Sequence, residues 1–374
     1  MNRGHVFGLD LIRALAVLMV LFTHACFLFV PVTPDLSALD PVLLPGQLGV
    51  ELFFVLSGFL IGGILADEAE RGRLEIRRFW LRRWLRTLPN YYLFLLLNVV
   101  LERLLSGHWP DAWRYTVFWQ NLAWPNPAFY PESWSLAVEE IFYLVAPVLI
   151  LLGESRFGGW MRRRGLSPIA LIIAGIAVFT AIRIGYVMQL DPGWDEGVRK
   201  VTLVRLDAIA YGVLAIVAVR RFRPGERAVK LIALAGAAGV AICVTSFLTL
   251  SRDTDLFART LLFNLIPLSF AAFLPLAGRA HGTSLPSAIR APVGKLALWS
   301  YALYVSHLFV LRILMDGLGW RGSSFGECLL QALAFSVLAI AFSALVYRFH
   351  ERPWLRLRDH VAPKQPSRLA QPPD

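Results

Sequence analysis

Long hydrophobic runs dominate this chain, and polar residues are concentrated in the short segments between them. A run of about 20 apolar residues is long enough to cross the hydrocarbon core of a bilayer as a helix. Ten such runs occur, at residues 9–30, 46–66, 89–106, 134–152, 168–190, 201–219, 229–250, 260–278, 295–315 and 328–347. The pattern predicts an all-α integral membrane protein, a bundle of about ten transmembrane helices.

Composition and charge placement agree with a membrane protein. Of the 374 residues, 57% are hydrophobic and 17% are charged, whereas about a quarter of the residues of a soluble domain are charged. The net charge of +11 raises the question of nucleic-acid binding. With the N-terminus inside, however, 26 of the 37 Lys and Arg residues fall in inside segments, as the positive-inside rule requires. We therefore expect cytoplasmic N- and C-termini and no nucleic-acid partner.

Residues 107–133 form the longest predicted outside loop. The loop is rich in aromatic residues, namely Trp109, Trp113, Trp119, Trp124 and Tyr130. Such residues suit either an aromatic belt at the membrane interface or a re-entrant cap over the bundle. The sequence leaves both interpretations open.

The informative residues are the ionisable ones inside the hydrophobic runs. A charge at bilayer depth costs at least about 2.5 kcal/mol, so such groups usually face partners or a cavity. They are Asp10, Arg13, His24, Glu139, Glu140, Arg183, Arg205, Asp207, His307 and Arg312. Individually, Asp10 and Arg13 could pair on their helix, and Arg205 and Asp207 could be solvated near an outside boundary. As a set, they predict a polar cavity inside the bundle.

Helix geometry relates three of these groups. Arg13 and His24 are 11 residues apart, which places them on one helix face, about 16 Å apart along the axis. Glu139 enters its span from the outside at a depth compatible with that of His24. A histidine near a carboxylate in a dry pocket can act as a general base at neutral pH. The alternative for His24 is a structural histidine of the core.

Seven segments in chain order match motifs of a known family. They are Arg13 with His24 in an Arg-x10-His spacing, Gly46–Leu60, Phe79–Tyr91, Trp134–Tyr143, Arg205–Asp207, Tyr301–His307 and Glu351–Pro353. Together they resemble membrane acyltransferase family 3. The two departures, Thr87 and Ile141, remove no group that the chemistry requires. The resemblance covers residues 7–356, which we expect to form one membrane domain, followed by a disordered, proline-containing cytoplasmic tail at 357–374.

The resemblance implies an O-acetyltransferase of the cytoplasmic (inner) membrane. Such an enzyme transfers an acyl group, usually acetyl from cytosolic acetyl-CoA, to a hydroxyl of a carbohydrate or glycolipid acceptor. Modification of O-antigen, lipopolysaccharide or exopolysaccharide is the expected role. Acetyl-CoA is then a substrate, and no tightly bound cofactor is expected. The short tail implies a stand-alone family member, whose possible partner is a separate periplasmic transferase.

The resemblance also implies roles for individual residues. Arg82, Arg83 and Arg86 bind the donor, which suits guanidinium groups because they match phosphate oxygens bidentately. His24 is the general base, and Glu139 either orients His24 or contacts the acceptor. Arg13 lines the donor path or pairs with Asp10. Further pocket candidates are Asp10, Ser57, Tyr143, Arg205, Asp207 and His307.

The alternatives to an enzyme are a structural or sensory membrane subunit and a transporter. A structural or sensory subunit would not require the His, Glu and Arg residues together. A transporter or flippase for an acyl donor or glycolipid would also need buried charges around a cavity. It would not need a phosphate-binding arginine segment, and the sequence shows no internal repeat of the kind found in many transporters. A metal site is not expected, because no His and Cys spacing resembles a zinc site.

Overall fold

The computed structural model describes residues 6–35, 40–72, 74–154 and 167–363, and this part of the chain contains helices and turns but no strand. Within it, nine helices are long and apolar enough to cross a membrane, and a shorter apolar helical segment spans Leu262–Ala277. The predicted all-α bundle of about ten transmembrane helices is therefore confirmed. The protein is a multi-pass integral membrane protein.

The helices of ten or more residues in the described part of the chain are α1 Phe7–Cys26, α2 Asp40–Glu70, α3 Ile76–Ser106, α4 Ser133–Glu154, α5 Pro168–Leu190, α6 Asp207–Phe222, α7 Glu226–Thr249, α8 Leu262–Ala271, α9 Ser287–Arg312, α10 Phe325–Val346 and α11 Arg352–Val361. Short helical turns occur at Phe27–Val32, Trp113–Thr116, Trp194–Arg199, Thr202–Val204, Leu256–Arg259, Leu274–Ala277, Ile313–Gly317 and Tyr347–Glu351.

Local sequence signals account for several helix ends. Ser167 caps α5 by accepting a hydrogen bond from the Ala170 backbone N–H, and Pro168 occupies the first helical position, where its missing N–H costs nothing. Gly107 ends α3 with a left-handed φ of 76°, and its N–H donates to the Arg103 carbonyl at 3.1 Å. This glycine turns the chain from α3 into the aromatic loop.

Several helices extend beyond the apolar runs. The basic segment between the apolar runs 46–66 and 89–106 is not a loop throughout, because residues 76–86 form the first turns of α3. Helix α11 runs to Val361, past the expected start of a disordered tail at 357. Arginines at a membrane interface can keep their charge in water while their stems cover apolar surface, so a helix can continue through them. The inside basic group at 156–164 and the tail residues 364–374 lie outside the described residues.

Close contact between α1 and α2 sets the position of His24. The hydroxyl of the preceding residue, Thr23, donates to the Val42 carbonyl at 2.9 Å and accepts from the Gly46 backbone N–H at 2.8 Å. A Cβ at Gly46 would lie 2.7 Å from the Thr23 Cβ, so only glycine permits this approach. The contact ties α1 to the start of α2 one residue from His24.

Helices α2 and α6 meet at an even closer crossing. A Cβ on Gly212 would lie 2.0 Å from the Val55 carbonyl oxygen, and one on Gly58 would overlap the Ile209 carbonyl oxygen. Small residues at such crossings let two helix backbones approach, which is the usual basis of packing between membrane helices. The crossing also places Ser57, next to Gly58, on the rim of the internal cavity described below.

The crossing gives a test of the fold. Gly212→Ala is expected to lower the thermal unfolding temperature in detergent micelles, because the new methyl group meets backbone that cannot move aside; overpacking typically costs about 1–3 kcal/mol. The matched control is Gly175→Ala in α5, where a Cβ would meet nothing within 4 Å. That variant is expected to unfold at the wild-type temperature or slightly above it. Equal unfolding temperatures for the two variants would contradict the close crossing.

Candidate active site

A cavity of about 120 Å³ lies inside the bundle among α1, α2, α3, α4 and α9. Its lining combines apolar side chains with charged and hydroxyl groups. The predicted site residues that line it are Arg13, Ser57, Arg83, Arg86, Glu139 and Tyr143. Three guanidinium groups and one carboxylate from distant parts of the sequence therefore share one internal cavity.

Arg13 both lines this cavity and pairs with Asp10. Its Nη1 lies 3.4 Å from Asp10 Oδ1, one helical turn earlier on α1, and Asp10 is buried. The two roles considered for Arg13 are thus compatible, because Asp10 contacts the guanidinium Nη1 of a residue that lines the cavity. The positive character of the cavity comes mainly from Arg83 and Arg86, and guanidinium groups suit an anionic ligand.

A chain of hydrogen bonds runs along the opposite wall of the cavity. The Tyr143 hydroxyl donates to Glu139 Oε2 at 3.0 Å and is also hydrogen-bonded to the Ser57 hydroxyl. The Arg83 guanidinium lies 5.5 Å from the centroid of the Tyr143 ring. Tyr143 therefore positions the Glu139 carboxylate within reach of the cavity arginines and links it to Ser57 on α2.

His24 pairs with His307 across the α1–α9 contact. The His307 Nε2 and His24 Nδ1 atoms are 3.1 Å apart, and the two ring centroids are 4.7 Å apart. The pair adjoins the cavity through Tyr304, a lining residue whose ring centroid is 6.0 Å from that of His307. The sequence contains both histidines in its motifs, but their separation of 283 residues gives no local signal that they meet.

Carbonyl contacts indicate which ring nitrogen of each histidine carries a proton. His24 Nδ1 lies 2.8 Å from the Val20 carbonyl oxygen, and His307 Nδ1 lies 2.7 Å from that of Tyr304. A carbonyl oxygen can only accept, so each Nδ1 carries the proton. The one His24 Nδ1–H then has two acceptors, the Val20 carbonyl and His307 Nε2, and is shared between them. The lone pair on His24 Nε2 is left available to accept a proton from a substrate.

The predicted site residues do not all converge on one point. Among the hydrogen bonds of residues 6–35, 40–72, 74–154 and 167–363, none joins Glu139 to His24. Glu139 instead bonds Tyr143, while the partner of His24 is His307. Within these residues, therefore, no direct hydrogen bond supports the expected orientation of His24 by Glu139.

Arg82 lies apart from Arg83 and Arg86. Its guanidinium bonds the Ala362 carbonyl and lies 3.2 Å from Asp359 Oδ1, so its partners come from the end of the described chain. Successive residues of a helix point 100° apart, which explains why Arg83 lines the cavity and Arg82 does not. Of the three arginines expected to bind the donor, Arg83 and Arg86 line the cavity and Arg82 does not.

Arg205 and Asp207 are buried rather than solvated, so the solvated interpretation is wrong. Arg205 pairs with Glu51, whose partnership the sequence analysis missed, and Asp207 pairs with Arg183 at 2.8 Å. Neither Arg205 nor Asp207 lines the cavity. These pairs join α2, α5 and α6 and act as supports for the bundle around the site.

A second overlooked residue is Glu132, immediately before the membrane-spanning segment Ser133–Ile150. It is 4% exposed, and neither carboxylate oxygen has a hydrogen-bond partner within the described ranges. Burial raises the pKa of Glu132 from 4.5 to about 8. The Tyr304 hydroxyl donates to the Glu132 backbone carbonyl at 3.2 Å, which places this residue next to the wall of the cavity.

Comparison with known protein families shows to which family the chain belongs. The model of the family described as "Acyltransferase domain", acyltransferase family 3, matches residues 6–348, nearly the whole membrane portion. The chain belongs to this acyltransferase family. The resemblance seen in the sequence is therefore confirmed. No solved structure matches the chain.

The chain is similar, at low sequence identity, to several proteins whose names give them as O-acetyltransferases. Peptidoglycan O-acetyltransferase OatA of Listeria monocytogenes is 25% identical over 94% of this chain and 56% of the relative. O-acetyltransferase OatA of Staphylococcus aureus is 26% identical over 92% of this chain and 56% of the relative. Putative peptidoglycan O-acetyltransferase YrhL of Bacillus subtilis is 28% identical over 52% of this chain and 30% of the relative. The chain spans about half the length of the first two relatives, or less of the third.

The buried ion pair beside the site gives one prediction. Asp207→Asn is expected to destabilise this acyltransferase-family protein by about 3–5 kcal/mol, because it leaves the fully buried Arg183 charge without its counterion. Asp67→Asn removes one of the two carboxylate partners of the partly exposed Arg220, the other being Glu70, and is expected to cost less than about 1 kcal/mol. Thermal unfolding of both variants in the same detergent measures the difference. Equal losses would contradict a supporting role for the Arg183–Asp207 pair.

Glu132 gives a pH-dependent prediction. The folded state holds a proton on Glu132 that the unfolded state releases between about pH 4.5 and pH 8, so this residue makes stability fall as the pH rises through that window. Glu132→Gln removes the effect. The unfolding temperature of the variant, minus that of the wild type, is expected to increase from pH 5 to pH 8. A difference that stays constant over this range would show that Glu132 is not a buried neutral acid.

Proposed function

We propose that this protein is a membrane-bound O-acyltransferase that moves an acyl group, acetyl by default, from cytosolic acyl-CoA to a hydroxyl of a carbohydrate or glycolipid acceptor. The observation that carries the proposal is the internal cavity, which Arg13, Arg83, Arg86 and Glu139 line together. Tyr304, another lining residue, is in ring contact with His307 of the His24–His307 pair. Family membership supports acyl transfer over the transporter alternative.

The relatives support the type of transfer. Their names give them as O-acetyltransferases, and two of the names specify peptidoglycan, which is a glycan polymer. An acetyl donor and a carbohydrate acceptor are therefore the first choices for this chain. Modification of a cell-surface polysaccharide at the cytoplasmic membrane is the role that suits such chemistry.

The donor site follows from charge and orientation. The positive-inside rule places the start of α3, with its arginines, on the cytoplasmic side, where acyl-CoA is found. Arg83 and Arg86 are the groups for donor phosphates, since guanidinium groups bind phosphate oxygens bidentately. Arg13 extends the positive lining onto α1, the helix that also carries His24. The acyl thioester is then directed along α1 towards the histidine pair.

The chemical step is attack of the acceptor hydroxyl on the thioester carbonyl. His24 Nε2 takes the hydroxyl proton as the oxygen–carbon bond forms, and the carbon–sulfur bond of the donor breaks. The CoA thiolate leaves and receives the proton from His24, which restores the neutral ring. His307 acts as a positioning residue, because its Nε2 accepts from His24 Nδ1–H and keeps the His24 lone pair on Nε2.

Acyl transfer in inverted membrane vesicles tests the proposal. Radiolabelled acetyl-CoA is supplied outside the vesicles, and label is followed into glycan and lipid-linked fractions. Wild type is expected to transfer label, and His24→Ala is expected to lose about 10²–10⁴-fold of the rate, the usual contribution of a general base. His307→Gln is expected to lose less rate and to shift the pH profile, because the amide oxygen can still accept from His24.

The matched control is His281→Ala, which removes an exposed histidine away from the cavity. It is expected to retain wild-type transfer when the expressed amounts are equal. Near-normal transfer by correctly inserted His24→Ala would contradict the assignment of the base. No label from wild type in any fraction would contradict acetyl transfer from acetyl-CoA.

A further inference from the structure

A second cavity, here called the distal pocket, lies at the end of the bundle opposite the cavity arginines. It occupies about 320 Å³ between the C-terminal ends of α3 and α9 and the aromatic loop. The lining residues used below are Glu102, Ser106, His108, Trp109, Phe129 and Arg312. Glu102 follows Arg86 by 16 residues of α3, a rise of about 24 Å. The volume falls within the range of small-molecule sites.

The floor of the distal pocket is an ion pair. Arg312 Nη2 lies 2.6 Å from Glu102 Oε2, and the two side chains keep 23% and 28% exposure. Because the charges neutralise each other, the floor does not favour an anionic ligand. A guanidinium group donates hydrogen bonds and a carboxylate group accepts them. Two adjacent hydroxyl groups are complementary to this pair, because each hydroxyl can both donate and accept a hydrogen bond.

The wall of the distal pocket is aromatic and is held in place. Trp109 is 70% exposed, and the Arg103 guanidinium lies 5.8 Å from the centroid of its indole ring. Phe129 packs edge-on against Tyr115 at a centroid distance of 5.1 Å, and the Tyr115 hydroxyl donates to the Phe129 carbonyl at 2.6 Å. An exposed ring face beside hydrogen-bonding groups suits a ligand with one apolar C–H face and polar edges, as a pyranose has.

The distal pocket is linked to the histidine pair through α9. Arg312 follows His307 by five residues and Tyr304 by eight, which places all three within about 12 Å along one helix axis. Glu132 interacts with both ends of this stretch of α9. The Tyr304 hydroxyl donates to its backbone carbonyl, and the positive charge of Arg312 favours the ionised form of its carboxyl group. The internal cavity and the distal pocket therefore lie on opposite sides of His307 along the axis of α9.

We propose that the distal pocket is the acceptor subsite and binds a neutral pyranose unit, with the Glu102–Arg312 pair on adjacent hydroxyl groups and the Trp109 ring against the C–H face. This inference rests on the proposed function. It assigns a role to Arg312 and to the aromatic loop. With the arginine end inside, the acceptor enters from the outer surface while the donor enters from the cytosol.

Direct glycan binding tests the subsite. The full chain in lipid nanodiscs is titrated separately with tetra-N-acetylchitotetraose and maltotetraose, and binding is followed by ligand-observed NMR. Wild type and His24→Ala are expected to bind at least one of them equally well, and Trp109→Ala and Glu102→Gln to bind it about tenfold more weakly. The matched control is Trp113→Ala, which removes an exposed tryptophan of the same loop outside the lining. It is expected to bind like wild type.

Failure of the subsite can be distinguished from failure of the proposed function. Glycan binding needs no acyl donor, whereas label transfer from acetyl-CoA tests the reaction. Trp109→Ala is expected to raise the KM for acceptor and to leave the Kd for CoA unchanged. Equal glycan binding by wild type and Trp109→Ala, or binding of neither oligosaccharide by wild type, would overturn the subsite. Glycan binding without transfer by wild type would leave the subsite standing and overturn the proposed function.

Discussion

A charge inside a bilayer has to be paired or face a polar cavity, and the rest of this structure depends on how that requirement is met. Fully buried pairs, Arg183–Asp207 and Arg205–Glu51, join α2, α5 and α6. They leave the cavity to another group of charges, centred on Arg13, Arg83 and Glu139. The protein thus separates charges that support the bundle from charges that face an internal space. Only the second group is suited to bind an anionic donor.

The α1–α9 contact is the place where the two approaches to the site meet. Helix α1 carries Arg13 in the cavity and His24 about three turns later, while α9 carries Tyr304, His307 and Arg312 in succession. Donor and acceptor would then reach one histidine pair from opposite ends, without either crossing the whole bundle. The close packing of Thr23 against α2 keeps His24 at this junction. A fixed position of His24 suits its proposed role as general base.

Much of the fold was predictable because hydrophobic length and motif order are local properties of the sequence. The spans, the family and the presence of a polar cavity inside the bundle followed from them. The position of Glu139 did not, because the sequence placed it near His24, whereas it lines the cavity beside Tyr143 and Arg83. Pairings between distant segments did not follow: Glu51 meets Arg205 across 154 residues, and His24 meets His307 across 283. The burial of Glu132 and the engagement of Arg82 by the end of the chain likewise arise only when helices pack. Periodicity shows which face a residue occupies but not what packs against it.

The most direct test of the central claim is an experimental structure of the full chain in nanodiscs with a non-hydrolysable acetyl-CoA analogue. We predict that donor phosphate groups lie within hydrogen-bonding distance of Arg83 and Arg86, with the acyl end directed along α1 towards the His24–His307 pair. A donor bound only at the surface around Arg82 and the chain end, with the internal cavity empty, would contradict this account.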